Sequence, residues 1–291
     1  VRIYPNRARR SRIGRTFGCR RWVYTRCLEV RKAAYEATGK SPSRWELDRM
    51  LPAWKAEHPW LREADSHALQ QAVRDLCSAY DHFFRRVRQG GKPGYPRFKS
   101  KSDPGQSFRT NWGVSVPDER HLRLPKLGAV RARVSRPVEG RIVSATVKRA
   151  PSGKYFCVLS CTGCPEAPMA EGEVPVLGID AGVRDLMVRS DGVRVASPRA
   201  LAKAERRLAK EQRRLSRKRK GSRNRAKQRL KVARAHEAVA DRRKDAVHKA
   251  TTQAMRESQA IAVEDLNVEG MKRNRRLAKA VSDASMAEAA R

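Results

Sequence analysis

Two short apolar runs in this 291-residue sequence end abruptly in a carboxylate: Val176-Leu177-Gly178-Ile179-Asp180 and Ile261-Ala262-Val263-Glu264. A buried strand delivers an acid to the edge of a sheet in this way. Two acids from strands distant in sequence suggest one divalent-metal site. Hard carboxylate oxygens suit Mg²⁺ and leave positions open for phosphate oxygens. Two such ions ~3.5–4 Å apart would activate a water and stabilise the charge developing on a scissile phosphate. Gly182 would then let a nucleic-acid backbone approach without a side chain in the way. Asp265 should point to the opposite strand face from Glu264, and Asp185 should begin the next strand, so both are weaker candidates. Cys161 and Cys164 have the two-residue spacing of a metal knuckle. A structural zinc needs four ligands, and no second close pair of Cys or His follows. With Cys157 they read as buried or incidental thiols, and no zinc site is assigned.

Charge names the partner class. The chain carries 66 Lys plus Arg against 30 Asp plus Glu, a net +36. A surplus that large favours a polyanion, because released counterions supply much of the binding free energy. Between Arg199 and Lys249 there are 21 basic and 5 acidic residues. More than a third of the net charge therefore lies between the two acid-bearing strands. Nucleic-acid contact is expected there, at Arg217, Lys218, Arg219 and Lys220 above all. A second basic stretch, holding Arg97, Lys99, Lys101 and Arg109, alternates with Phe98 and Phe108 near flexible glycines. It suits backbone phosphates and stacked bases as well as it suits an ordinary exposed strand. No apolar run approaches the ~20 residues that cross a bilayer. Six cysteines make no disulfide framework in a chain this long, so a cytoplasmic location is expected, with nucleoid association when DNA is bound. The chain opens on Val1 with no signal-peptide core, and its start is expected to be missing.

The elements that must position these residues follow from periodicity. Arg2 to Pro5 reads as a short strand. From about Ser11 to Arg88 the pattern is helical, with a helix start at Ser41-Pro42-Ser43 that Glu46 completes as a cap. Trp22, Trp45, Trp54 and Trp60 read as helix-packing core. Gln89 to Pro96 breaks the helix. Residues 112–162 alternate with period two, which predicts a small antiparallel sheet or barrel with one polar face. Glu166 to Glu173 reads as a linker. After Asp180 come a hairpin turning at Asp191-Gly192 and then two helices. The first carries Leu201, Leu208 and Leu215; the second has a stripe of Leu230, Ala233, Ala240, Val247, Thr251 and Ala254. Strand, hairpin, helices and strand describe an RNase H-like sheet, in which the last strand lies parallel to the first and brings Asp180 and Glu264 together.

The stretch from Gly178-Ile179-Asp180-Ala181-Gly182 through Ser190-Asp191-Gly192 resembles the first RuvC motif of the TnpB (OrfB) proteins carried by insertion sequences. Val263-Glu264-Asp265-Leu266-Asn267-Val268-Glu269-Gly270-Met271 is similar to their second. The resemblance extends to Arg2–Pro5, Phe17–Tyr24, Tyr95–Ser100 and Asp245–Lys249, nearly the whole chain in order. It implies an RNA-guided, Mg²⁺-dependent DNA endonuclease related to the type V CRISPR effectors. The implied fold is a multidomain α+β protein: a helical recognition lobe, a small antiparallel β-barrel (wedge) and a partial RNase H-like (RuvC) α/β domain. The corresponding ranges are residues 1–10 for the first wedge strand, 11–96 for the lobe, 97–170 for the barrel and 171–291 for the nuclease domain, with a basic helical hairpin at 199–257. Implied partners are a guide RNA from the transposon end and a double-stranded DNA target, with no membrane.

By the same resemblance Asp180 and Glu264 are the first two members of a catalytic, Mg²⁺-binding acidic triad. Family members continue with a four-cysteine zinc ribbon and a third motif bearing the last Asp. The chain stops at Arg291 in a stretch that precedes both, so it is expected to be a fragment, with zinc belonging only to the ribbon. Asp283 is no substitute, because it lies at an expected helix start, where Asp serves as a cap. Two other functions stay open: a nuclease-inactive, RNA-guided DNA-binding repressor, and a transposase accessory with no guide RNA.

Overall fold

In the computed structural model, which describes residues 1–103, 105–165, 174–276 and 278–284, the chain divides into two units, Val1–Pro165 and Glu166–Arg291. The linker expected at 166–173 lies outside the described residues.

The first unit opens with strand β1 (Arg2–Ile3) and helices α1 (Arg7–Thr38), α2 (Arg44–Glu57) and α3 (Ser66–Arg88), with a 3₁₀ turn at Pro59–Glu63 before α3. Helix α1 starts earlier than its periodicity suggests because Asn6 caps it, its Oδ1 accepting from the Arg9 amide at 2.9 Å. Gly39, at φ 69°, ends it. At the head of α2, Ser43 and Glu46 cap each other reciprocally, at 2.7 and 3.3 Å. Val23, Leu28, Leu47, Leu69 and Leu76 form the helical core. Trp54 belongs to it and Trp22 packs on its edge, but Trp45 and Trp60 do not: they are 68% and 42% exposed. Trp45 lies on the outer surface of α2, where the Arg44 guanidinium sits 4.6 Å from its ring centre.

Six further strands follow: β2 (Gln106–Thr110), β3 (Ser115–Asp118), β4 (His121–Leu124), β5 (Gly128–Arg133), β6 (Arg141–Arg149) and β7 (Tyr155–Thr162). With β1 they form one antiparallel sheet in the order β2-β6-β7-β1-β5-β4-β3. The expected barrel is left open, as a curled half-barrel with β2 and β3 at its two edges. Those edges are consecutive in sequence, and the connection from Thr110 to Ser115 reaches at most ~18 Å, so the sheet has to curl to bring them near each other. Alternate residues point inward: Phe108, Leu122, Leu124, Val130, Val147 and Cys157 pack with Ile13 and Phe17 of α1 and Ala68 of α3. Helices and sheet thus share a core.

The second unit holds β8 (Val174–Asp180), β9 (Asp185–Arg189), β10 (Arg194–Ala196), α4 (Ala200–Ser216), α5 (Arg223–Glu257), β11 (Ser258–Val263), α6 (Val268–Arg273) and α7 (Ala278–Ala284). Its sheet runs β10-β9-β8-β11, with β11 parallel to β8 and the other pairs antiparallel. Helices α4 and α5 form a hairpin in which Leu208 packs with Ala235 and Val239. Val247 and Ala254 of the expected α5 stripe are buried, but toward α4 the stripe is rotated: Ala240 is exposed and Ala233 half-buried. Gln228 is buried instead, its amide donating to the Glu211 carbonyl at 3.1 Å and carboxylate at 2.6 Å. Val247 and Ala250, farther along α5, pack against Leu186 and Met187 of β9. Among the described residues, no helix is long and apolar enough to cross a membrane.

Candidate functional site

Strand β8 pairs with β11 in parallel register, Val174 opposite Ser258 through Ile179 opposite Val263. Asp180 and Glu264 each follow the last of these pairs, so they occupy matching positions at the C-terminal ends of neighbouring strands. Both are exposed. Strand β8 is fixed from beneath, since Leu177 is fully buried and Ile179 packs on the Leu186–Met187–Val247 cluster. Gly178 ties β8 to the adjoining hairpin: its amide donates to Ser190 Oγ at 3.1 Å, and its carbonyl accepts from the Ser190 amide at 2.9 Å.

The loops beyond the acids are held by a second small cluster. Ala181 and Val183, after Asp180, pack with Leu266, Val268, Met271 and Val281. Asn267 caps α6, its Oδ1 accepting from the Gly270 amide at 2.9 Å. A Cβ on Gly270 would meet the Asn267 side chain at 2.9 Å, so the Asn-to-Gly spacing is a packing requirement. A Cβ on Gly182 would lie 3.0 Å from the Asp185 carbonyl oxygen. This glycine thus also has a local role in the turn within the chain. Asp185 begins β9 and faces Arg194 at 3.9 Å.

Two exposed carboxylates at adjacent strand ends form a hard-oxygen donor set, which fits Mg²⁺. Among the described residues, no group of three or more His, Cys, Asp or Glu side chains could hold a metal. Asp283 sits near the end of α7, so it does not start a helix. Its carboxylate accepts from the amides of Leu201 and Ala202, at 2.9 and 3.3 Å, and from Arg243 of α5 at 2.9 Å. It caps α4, a helix distant in sequence. The signal that could have found it is Arg199, which precedes α4 and carries no capping oxygen.

The basic candidates occupy three settings. Arg97, Lys99 and Lys101 are exposed on an irregular segment ahead of β2, and Arg109 is exposed on β2 itself. Arg217, Arg219 and Lys220 are exposed at the turn of the α4–α5 hairpin, with Lys218 half-buried. Arg225 braces that turn by donating to the Leu215 and Lys218 carbonyls, each at 2.8 Å. Of the cysteines, Cys157 is buried in the sheet core, where burial pushes its thiol up to about 12. Cys164 donates to the Glu139 carbonyl at 3.3 Å.

Family models match the chain in two places: residues 161–275, described as "Probable transposase", and residues 1–40, described as "Helix-turn-helix domain". In the structure, residues 1–40 are β1 followed by the single uninterrupted helix α1. The chain is 37% identical, over 99% of its length, to a Streptomyces pristinaespiralis protein named "Putative RNA-guided DNA endonuclease", of which it spans 71%. It is 33% identical, over 94% of its length, to InsQ of Escherichia coli (strain K12), which bears the same description, and spans 66% of it. A CRISPR-Cas12f ternary complex solved by cryo-electron microscopy aligns with 96% of this chain and 69% of that one, at 14% identity and a TM-score of 0.30.

Proposed function

The chain belongs to the TnpB (OrfB) family, and from that premise we propose that it is an RNA-guided DNA endonuclease whose RuvC-type site includes Asp180 and Glu264. One observation carries the reading: parallel pairing of β8 with β11 aligns two acids that lie more than eighty residues apart in sequence. The strand order β10-β9-β8-β11 is the order an RNase H-like domain requires, which supports the RuvC assignment.

Asp180 and Glu264 would hold Mg²⁺, which when bound supplies Lewis acidity toward a phosphate oxygen. The rest is done by the protein. Rigid strand ends fix the two carboxylates, their exposure admits a nucleic-acid backbone, and Arg217 to Lys220 offset its charge. Guide RNA would choose the target by base pairing, so sequence recognition needs few side chains.

The test uses protein loaded with its guide RNA, a target plasmid and Mg²⁺. Asp180→Ala and Glu264→Ala should each abolish cleavage while leaving guide binding unchanged. Binding of Mn²⁺, followed by electron paramagnetic resonance in the absence of nucleic acid, gives a readout independent of turnover, and it should weaken in both variants. Undiminished cleavage by either variant would overturn the site. Guided binding with no cleavage by a protein that also carries the third acid would replace the nuclease by a binding-only function.

A further inference from the structure

We propose that the segment Tyr95–Lys99 and the side of α1 facing it form a subsite for single-stranded nucleic acid, with one base stacked on Phe98 and a neighbouring phosphate in the groove beside Lys99. This rests on the nucleic-acid reading above and goes further by naming the surface and its ligand.

Phe98 and Tyr95 are 51% and 45% exposed on a stretch without regular structure. They are nevertheless held in place. The Tyr95 hydroxyl is hydrogen-bonded to that of Tyr80 at 2.8 Å, and its ring meets Phe83 edge-on at 5.4 Å. From α1, the Lys32 ammonium lies 5.3 Å from the Tyr95 ring centre and 5.2 Å from that of Phe98. An aromatic ring held open beside a cation is the arrangement that stacks a base and meets its phosphate. Holding the rings before the ligand arrives reduces the entropy lost on binding.

The next residue leads into a groove of about 360 Å³, whose lining includes Arg20, Arg21, Tyr24 and Lys99. Lys99 lies 5.1 Å from the Tyr24 ring centre. Arg20 donates through its terminal nitrogens to Asp75 and the Ser107 carbonyl, but its buried Nε has no hydrogen-bond partner. That nitrogen has no exposed surface, and it is the bonds of the two terminal nitrogens that fix the guanidinium at the groove. Asp103 also lines the groove, but its carboxylate accepts from the Ser100 amide at 2.8 Å and so serves its own loop. Three cations against two acids, Asp75 and Asp103, leave the groove net positive, which selects a polyanion over an apolar peptide. A base inside a duplex has both faces covered, so the open ring selects a single strand.

Fluorescence anisotropy of the full chain with a fluorescein-labelled 12-nucleotide RNA of mixed sequence tests this, with a duplex of the same sequence alongside. Phe98→Ala should weaken single-strand binding by about 5- to 150-fold. Phe98→Trp should restore it, whereas Phe98→Leu should not. Lys99→Ala should make the dependence of log affinity on log salt shallower by about 0.7, a change Phe98→Ala should not produce. If the unaltered chain binds neither probe, the nucleic-acid reading fails and this subsite with it. If it binds and the Phe98 and Lys99 variants bind equally well, only the subsite is wrong. Equal loss in Phe98→Ala and Phe98→Trp would also overturn it, because the stacking ring would then not be the cause.

Discussion

Asp283 supplies to α4 what the first turn of that helix lacks. Arg199, in the capping position, has φ 43° and no side-chain oxygen to offer, so the Leu201 and Ala202 amides turn to a carboxylate from α7. Arg243 neutralises that carboxylate, and the positive end of the helix dipole favours it further. Removing it exposes two amides to a buried setting and leaves a half-buried guanidinium unpaired. Asp283→Ala should therefore cost about 3 kcal/mol, between the loss of a cap and the breaking of a buried pair. Urea unfolding followed by circular dichroism measures the loss, and hydrogen exchange at Leu201 and Ala202 should accelerate most. Asp283→Asn should fall between the two. The residue type announced a cap, but the sequence could not say which helix it serves, because that partner lies some eighty positions away.

At the scale of elements, β9 is tied to the end of α5 by Arg189, which is buried and bonded to both Asp191 and Glu257. Hydrogen bonds from Gln253 and then Arg189 hold the Glu257 carboxyl below its usual value of 4.5. A carboxyl lowered by folding stabilises the fold above its unfolded value and loses that contribution as pH falls through the lowered one. The second unit should thus lose stability on acidification below about pH 4.5, and Glu257→Gln should flatten that loss. Melting curves by circular dichroism at pH 5, 4 and 3 would show it; parallel losses in both proteins would remove Glu257 from the account. Elements with one wet face were the most legible: the period-two runs correspond to β3 through β7, because polar residues mark the outside of each strand. The stripe of α5 was legible at Val247 and Ala254 and misplaced where it faces α4. Alanines stand on several of its faces, and only the contact with α4 selects Ala235 and Val239 over Ala233 and Ala240. Trp54 and Trp22 joined the core as their type suggests, but Trp45 did not: an arginine can hold an indole on the surface as well as a core can bury it.

For the whole molecule, a net charge of +36 is the dominant fact. It predicts affinity for single-stranded nucleic acid that falls steeply between about 50 and 200 mM salt. Replacing Arg217, Lys218, Arg219 and Lys220 together by alanine should reduce the slope of log affinity against log salt by up to about 3, if each cation meets one phosphate. An unchanged slope would remove the hairpin turn from the interface. Charge pointed to a class of partner and said nothing of chemistry. The proposed chemistry rests on two carboxylates whose alignment depends on strand pairing across the long α4–α5 crossover.

The two-residue strand β1 has a consequence for the order in which the first unit is made. Ile3 lies opposite Ala132 on one side and Tyr155 on the other, so a strand made before both of its partners fills the middle of a sheet whose flanking strands emerge much later. Pairings so distant in sequence are slow to form. A chain leaving the ribosome can fold its three helices early, but the sheet cannot be completed until β7 has been released. Deleting residues 1–4 would leave β2-β6-β7 and β5-β4-β3 as two separate ribbons, and refolding followed by tryptophan fluorescence should then lose its slow phase. The seam of the sheet is closed by a strand made before the six others, and it closes last.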